Sequence, residues 1–251
     1  MSNIKAIILC AGYGTRMEPY THTYQKTMIP LHGKPLLEYI IDGIKYAGIT
    51  SFILVVGYKK EQIIEYFGDG SSKNLSIEYV EQKNLNGTGG AVMLCEDLIR
   101  EDHFFLTWGD ILVSYDVYKQ VYETYKQENV NFILTTNYLE DISKGCAIYC
   151  EGDYCIEMIE KPDPEQQSTN LSNCGIFILS TEIFKELKKL KPSDRGELEL
   201  PVALRKGIKE RNWRVRIIRL KKGEFRGDFG DKAEYERLRD SSYWLRLLKE
   251  E

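Results

Sequence analysis

The sequence predicts an α/β fold: a Rossmann-like, mainly parallel sheet flanked by helices, with an antiparallel addition in its second half. Three observations predict it. Short apolar runs alternate with helix-length segments through residue 127, the pattern of strands joined by helical crossovers. From about residue 131 strand-like segments follow each other directly. Two apolar runs end in glycine-containing turns, Cys10-Ala11-Gly12 and Trp108-Gly109-Asp110, where open α/β sheets bind ligands.

In chain order, the unbroken apolar run 4–9 reads as a buried strand. Pro35 precedes a helix over 36–47, and Phe52-Ile53-Leu54-Val55-Val56 a strand at 52–56. A helix at 60–66, a strand at 76–80, a helix at 89–98 and a strand at 103–107 continue the alternation. A helix over 115–127 closes it. Strands at 131–136, 145–150 and 154–160 follow, the last two joined by the turn Glu151-Gly152-Asp153. Residues 161–173, rich in Pro, Gln, Ser and Asn, read as a loop. Beyond it come a strand at 174–179, helices at 181–188 and 198–209, and a strand at 214–220. The last helix is expected over 232–249. Its apolar residues, Trp244 and Leu248 among them, call for packing on its own domain, with a contact to another subunit of a homo-oligomer as the alternative.

Composition excludes several function classes. Hydrophobic residues are 43% and charged residues 29% of 251, ordinary for a globular chain. The net charge of −4 argues against nonspecific nucleic-acid binding, though not against binding a nucleotide through local cations. No apolar run approaches the roughly 20 residues of a membrane span, and 4–9 is too short for a secretion signal, so the expected location is cytoplasmic. The six cysteines form no CxxC pair. Cys146, Cys150 and Cys155 suit two hairpin strands better than a zinc site, and reduced thiols are expected.

The chemistry begins after the first strand. Gly12 and Gly14 let backbone N–H groups approach an anion, and Arg16 and Lys26 supply cations for a polyphosphate. The segment is neither a Walker A loop nor a dinucleotide fingerprint, and alone it is equally an ordinary strand-to-helix turn. Asp110, after an apolar strand and Gly109, stands where a metal or ribose ligand belongs; read alone it is a helix cap. Gln82, before the run Asn86-Gly87-Thr88-Gly89-Gly90, carries the donor and acceptor that pair with a pyrimidine edge bearing N3–H and a carbonyl.

The segment Ala11 to Pro35 resembles the signature of the sugar-1-phosphate nucleotidylyltransferases. Gly12, Gly14, Thr15, Arg16, Pro19, Thr21, Lys26, Pro30, Lys34 and Pro35 carry the likeness. Gln25 departs from it, standing where that family usually has proline, and calls the rigidity of this loop into question. The likeness extends through Trp108-Gly109-Asp110, Glu160-Lys161-Pro162, Gly196-Glu197 and Arg226-Gly227-Asp228. It implies magnesium-dependent transfer of a nucleotidyl group from an NTP to a sugar 1-phosphate, releasing pyrophosphate. It implies catalytic roles for Arg16, Lys26 and Asp110, and magnesium on Asp110 and Asp228. Leu9, Ala11, Gly12, Gly14, Thr15, Gln82, Gly87, Thr88 and Gly109 would contact the nucleotide. Gly145, Glu160, Lys161, Asn173 and Glu197 would hold the sugar phosphate. Residues 1–251 would form one domain: 1–130 mainly for the nucleotide, 131–230 mainly for the sugar phosphate, 231–251 the terminal helix. No room is left for the C-terminal β-helix that some members carry.

Gln82 favours UTP or dTTP, and glucose 1-phosphate is the default sugar. The glycine run also resembles guanylyltransferases for mannose or heptose 1-phosphate, so GTP stays open, as do CTP and a non-sugar phosphate acceptor. A non-catalytic nucleotide-sugar-binding regulator ranks below these, because all four charged candidates are present.

Overall fold

The computed structural model describes residues 4–128, 130–143, 145–163 and 167–249. The first half is built from β1 (Ala6–Cys10), α1 (Tyr20–Thr23), β2 (Pro30–Leu31), β3 (Lys34–Pro35), α2 (Leu36–Tyr46), β4 (Ser51–Val56) and α3 (Lys60–Phe67). There follow β5 (Ser76–Glu81), α4 (Gly87–Met93), β6 (His103–Trp108), β7 (Ile111–Val113) and α5 (Tyr115–Gln127). The second half has β8 (Phe132–Tyr138), β9 (Cys146–Glu151), β10 (Tyr154–Glu160), β11 (Leu171–Ser180) and α6 (Ile183–Leu187). It closes with α7 (Leu200–Arg211), β12 (Val215–Arg219), β13 (Arg226–Asp228) and α8 (Lys232–Arg239).

Nine strands form one sheet in the order β5-β4-β1-β6-β11-β8-β12-β10-β9. The first four are parallel, in register Ala6 with Phe52 and Phe105, as the alternating pattern predicts. β11 runs antiparallel to both β6 and β8, and β9 and β10 form the expected hairpin with Cys150 opposite Cys155. The second half is not wholly antiparallel: β12, reached from β11 through α6 and α7, pairs parallel with β8, Val215 opposite Phe132. All six cysteines are free thiols, and no cluster of three metal-ligating residues occurs among the described residues.

Apolar residues cover both sheet faces. Ile8, Phe52, Leu54 and Ile178 face α2, α3 and α5; Ile7, Phe104, Leu106 and Phe177 face α4, α6 and α7. Strands buried on both faces have no polar alternation to show, which is why their sequences are continuous apolar runs.

Two sequence expectations change. β11 starts at Leu171, so Asn173 belongs to a strand rather than to the 161–173 loop, of which 164–166 lie outside the described residues. The terminal helix stops at Arg239 and resumes only as a tight turn, Tyr243–Leu247. The Trp244 indole N–H donates to the Leu238 carbonyl at 2.8 Å, taking an acceptor that a continuing helix would use. Trp244 and Leu248 join the core beside α2, and Trp244 stacks on Phe225 with ring centroids 5.4 Å apart.

Candidate active site

The loop leaving β1 is shaped by Gly14, whose φ of 67° is left-handed. A Cβ there would stand 3.0 Å from both Lys26 Cβ and Thr21 Cγ2. The bare glycine therefore lets this loop pack on the stem of Lys26. Arg16 follows in the single turn Thr15–Met17 and remains exposed. Its guanidinium reaches the far side of the site, 3.2 Å from where a Cβ on Gly230 would lie.

Lys26 Nζ forms an ion pair with Asp110 Oδ2, with 14% and 27% of the side chains exposed. Burial alone would raise the Asp110 carboxyl, but the Lys26 ammonium, its hydrogen bond and the field of Arg16 hold it below the ordinary aspartate value. Asp110 is therefore an anion at neutral pH. By contrast, burial pushes the neighbouring Cys10 thiol up to about 12 and leaves it unreactive.

Asp228 reaches the same place from the other end of the chain. β13 pairs antiparallel with β7, putting Asp228 opposite Ile111, and the Phe229 N–H donates to the Asp110 carbonyl at 2.8 Å. Asp228 Oδ1 accepts from the Gly230 N–H at 2.9 Å, and Oδ2 pairs with Arg226 Nη2 at 3.0 Å. Two carboxylates on adjacent backbone suit magnesium, which takes one or two protein carboxylates and completes its shell with water and phosphate oxygens.

Between the Lys26–Asp110 pair and Glu160 opens a cavity of about 330 Å³, which Arg16 and Asp228 do not line. Of the residues expected from the sequence, Leu9, Gly12, Lys26, Thr88, Asp110, Glu160 and Glu197 line it. Ala11, Gly14, Thr15 and Gly109 shape the strand ends beside it, Gly109 by donating its N–H to the Leu9 carbonyl at 3.0 Å. Gln82, at the end of β5, is 6% exposed and donates from Nε2 to Asn86 Oδ1 at 3.1 Å and the Gly87 carbonyl at 3.2 Å. Its donor is thus committed within the chain.

The glycine run also packs against a segment far away in sequence. A Cβ on Gly87 would lie 2.6 Å from the Leu198 carbonyl. Leu198 N–H donates to the Asn86 carbonyl, and Gly89 N–H to the Leu198 carbonyl, each at 2.7 Å. The space freed by the missing side chain admits the 197–198 segment, so two motifs far apart in sequence are bonded directly.

At the other side, Glu160 ends β10. Burial raises its carboxyl above the ordinary value, nearby Glu199 raises it further, and Arg195 and Lys161 oppose them. Arg195 pairs with Glu199 at 2.7 Å and Glu197 at 3.3 Å. Lys161 does not line the cavity; it is exposed at its rim, where its N–H donates to the Gly145 carbonyl at 2.8 Å. Asn173 is 4% exposed, its Oδ1 accepting from Gly175 N–H at 2.8 Å while its Nδ2 finds no partner among the described residues.

Sequence reasoning missed Trp108, Arg195 and Glu199 as cavity residues and read Gln25 only as a departure. Arg195, Glu197 and Glu199 stand two apart in the sequence, but Asp194 and Arg195 lie in a turn and Gly196 has φ 75°, so no strand periodicity marked them. No signal marks Arg226 either, whose role comes from the β7–β13 pairing alone.

Comparison with known proteins agrees with this geometry. The family model for nucleotidyl transferases matches residues 5–245. "Bifunctional protein GlmU" of Methanococcus maripaludis is 40% identical over 203 residues, covering 81% of this chain and 46% of the relative. Glucose-1-phosphate thymidylyltransferase of Streptomyces griseus is 32% identical over 201 residues, 80% of this chain and 56% of the relative. The chain thus spans about half the length of these curated relatives. A crystal structure of UDP-glucose pyrophosphorylase complexed with UDP-glucose superposes with a TM-score of 0.85 at 29% identity, covering 97% of this chain and 99% of that one. With the signature loop, the paired aspartates and the nine-stranded sheet all in place, the chain belongs to the nucleotidyl transferase family, among the sugar 1-phosphate nucleotidyltransferases.

Proposed function

We propose that this protein transfers a nucleotidyl group from UTP or dTTP to a hexose 1-phosphate, with glucose 1-phosphate the first candidate, and releases pyrophosphate. The observation that carries this reading is one cavity lined by both the Lys26–Asp110 pair and the Glu160, Arg195 and Glu197 group. The first suits a triphosphate, the second a polyhydroxylated ring. The names of two relatives, a glucose-1-phosphate thymidylyltransferase and a UDP-glucose pyrophosphorylase, support the same pairing of substrates.

The nucleophile is a phosphate oxygen of the sugar 1-phosphate, already anionic at neutral pH, so the site needs no general base. It attacks the α-phosphorus in line; the P–O bond to the β-phosphate breaks, and pyrophosphate leaves with that electron pair. Lys26 and Arg16 neutralise the charge growing on the leaving group, which is positioning and electrostatic catalysis. Asp110 and Asp228 would hold magnesium, whose charge draws the phosphates together. Lys161 meets the incoming phosphate at the rim. Glu160 and Glu197 accept from sugar hydroxyls. With the Gln82 amide N–H₂ bonded internally, its Oε1 accepts from the N3–H of uracil or thymine, a proton that cytosine lacks.

Pyrophosphate release, measured with magnesium across five NTPs and a panel of hexose and N-acetylhexosamine 1-phosphates, tests the proposal. Release dependent on one pyrimidine NTP and one sugar phosphate together supports it. Equal release with GTP, or none with any pair, overturns it.

A further inference from the structure

We propose that Gln25 is a positioning residue for Lys26, replacing with hydrogen bonds the rigidity that a proline ring supplies elsewhere. The inference rests on the proposed reaction only for its activity readout.

Gln25 is 1% exposed, unusual for an amide beside an open cavity. Its polar bonds join the loop to itself, to β1 and to α3. Its Nε2 donates to the Cys10 carbonyl, the last of β1, at 2.6 Å. Its Oε1 accepts from the Thr27 N–H at 2.6 Å and the Thr27 hydroxyl at 2.7 Å. Its own N–H donates to Gln62 Oε1 on α3 at 2.7 Å, and Gln62 Nε2 donates to the Thr23 carbonyl at 2.8 Å. Lys26 therefore sits between two anchored residues, in a turn, Lys26–Met28, capped by the Gln25 side chain.

Backbone angles do not demand the glutamine. Gln25 has φ −61° and ψ 141°, and Tyr24 before it is extended at φ −106° and ψ 147°. Proline fits both positions' requirements. What proline cannot do is donate to Gln62, reach the Cys10 carbonyl or cap Thr27. The glutamine ties the loop to β1 and α3 at once, and so fixes the Cα of a long, flexible ammonium that must meet Asp110 and the triphosphate. Gly14 packs on the lysine Cβ from the opposite side, completing the constraint.

The test is a double-mutant cycle with Gln25→Ala and Lys26→Ala. It is read by kcat and KM for the pair of substrates found active, and by calorimetric binding of inorganic pyrophosphate with magnesium. In the folded Gln25→Ala protein kcat should fall roughly 10- to 100-fold, with KM for the sugar phosphate within about threefold, since misplacing a catalytic group by about 1 Å has that cost. Pyrophosphate affinity should fall in parallel. On the Lys26→Ala background the same change should cost less than about twofold, because the group being positioned is gone. A merely structural role repeats its full loss on both backgrounds and overturns the inference, as does turnover and pyrophosphate affinity like the parent's. Should Gln25→Ala not fold, Gln62→Ala enters the same cycle with the same pattern and a smaller loss. If the parent releases no pyrophosphate with any substrate pair, the reaction reading fails, and the pyrophosphate-binding cycle alone decides for or against Gln25.

Discussion

Asp228 sits opposite Ile111 on a two-stranded ribbon, and the next residue's N–H donates 2.8 Å to the Asp110 carbonyl, so two distant aspartates share one turn of backbone. Neither carboxylate is idle. Asp110 pairs with Lys26, which helps hold its carboxyl below the ordinary aspartate value, and Asp228 pairs with Arg226.

Asp110→Asn and Lys26→Ala should each lower turnover about 100-fold or more, the scale of losing one electrostatic contact to developing charge. Both side chains are partly exposed, so thermal unfolding should move far less than turnover. Pyrophosphate release beside a melting curve checks this. Normal turnover in both variants would remove the site from the chemistry.

Glu160 should give activity an acid limb. Its carboxyl lies above the ordinary glutamate value through burial and Glu199, with Arg195, Lys161 and the Cys146 thiol facing it. As pH falls through that raised value the carboxylate takes a proton and ceases to accept from a sugar hydroxyl, so kcat/KM for the sugar phosphate drops. Glu199→Gln removes the repulsion and should move the limb to lower pH. The sign for stability is opposite to that of a salt-bridged acid: the fold binds this proton more tightly than the unfolded chain, so Glu160 contributes against stability as pH rises from the ordinary value through the raised one. A limb unmoved in Glu199→Gln would exclude Glu160 as its source.

Gly14→Ala forces a left-handed φ on a residue with a Cβ and drives that Cβ against Lys26 and Thr21. A penalty of about 1–2 kcal/mol from the backbone is expected, and turnover should fall because Lys26 must shift. Chemical denaturation and pyrophosphate release measure the two effects; a neutral result in both contradicts the packing described.

Trp244→Ala should destabilise by about 3–5 kcal/mol, the range for a large buried aromatic. The indole is 3% exposed and stacked on Phe225, three residues before Asp228. Denaturant unfolding reads the loss. A change below about 1 kcal/mol would mean that the terminal segment does not brace the core.

Much of this protein was legible before any coordinates. Continuous apolar runs in 52–56 and 103–107 announce strands covered on both faces, because only such strands dispense with alternation. Lys26, Asp110, Glu160 and Glu197 stood out as candidates only through the resemblance, since each read alone is an ordinary polar residue at a turn or strand end. Asp231 caps α8, its side chain accepting from the Glu234 N–H at 3.0 Å.

Other features depend on what arrives from elsewhere in the chain. Whether β12 runs parallel or antiparallel to β8 is set by the whole path through β9, β10, β11, α6 and α7, not by the strand's own residues. The terminal helix pattern continues past Arg239, yet the helix ends where the Trp244 indole captures the Leu238 carbonyl, a bond that exists only once the core has formed. The glycines at 87 and 89 look suited to a ligand, but the Leu198 backbone fills their space. By itself the sequence determined most of the strands and helices and which charged groups were candidates for chemistry, since periodicity and residue chemistry are local. Tertiary structure alone decided which groups meet, because the pairing of β7 with β13 and the docking of Leu198 on the glycine run are contacts between segments whose own sequences carry no record of their partners.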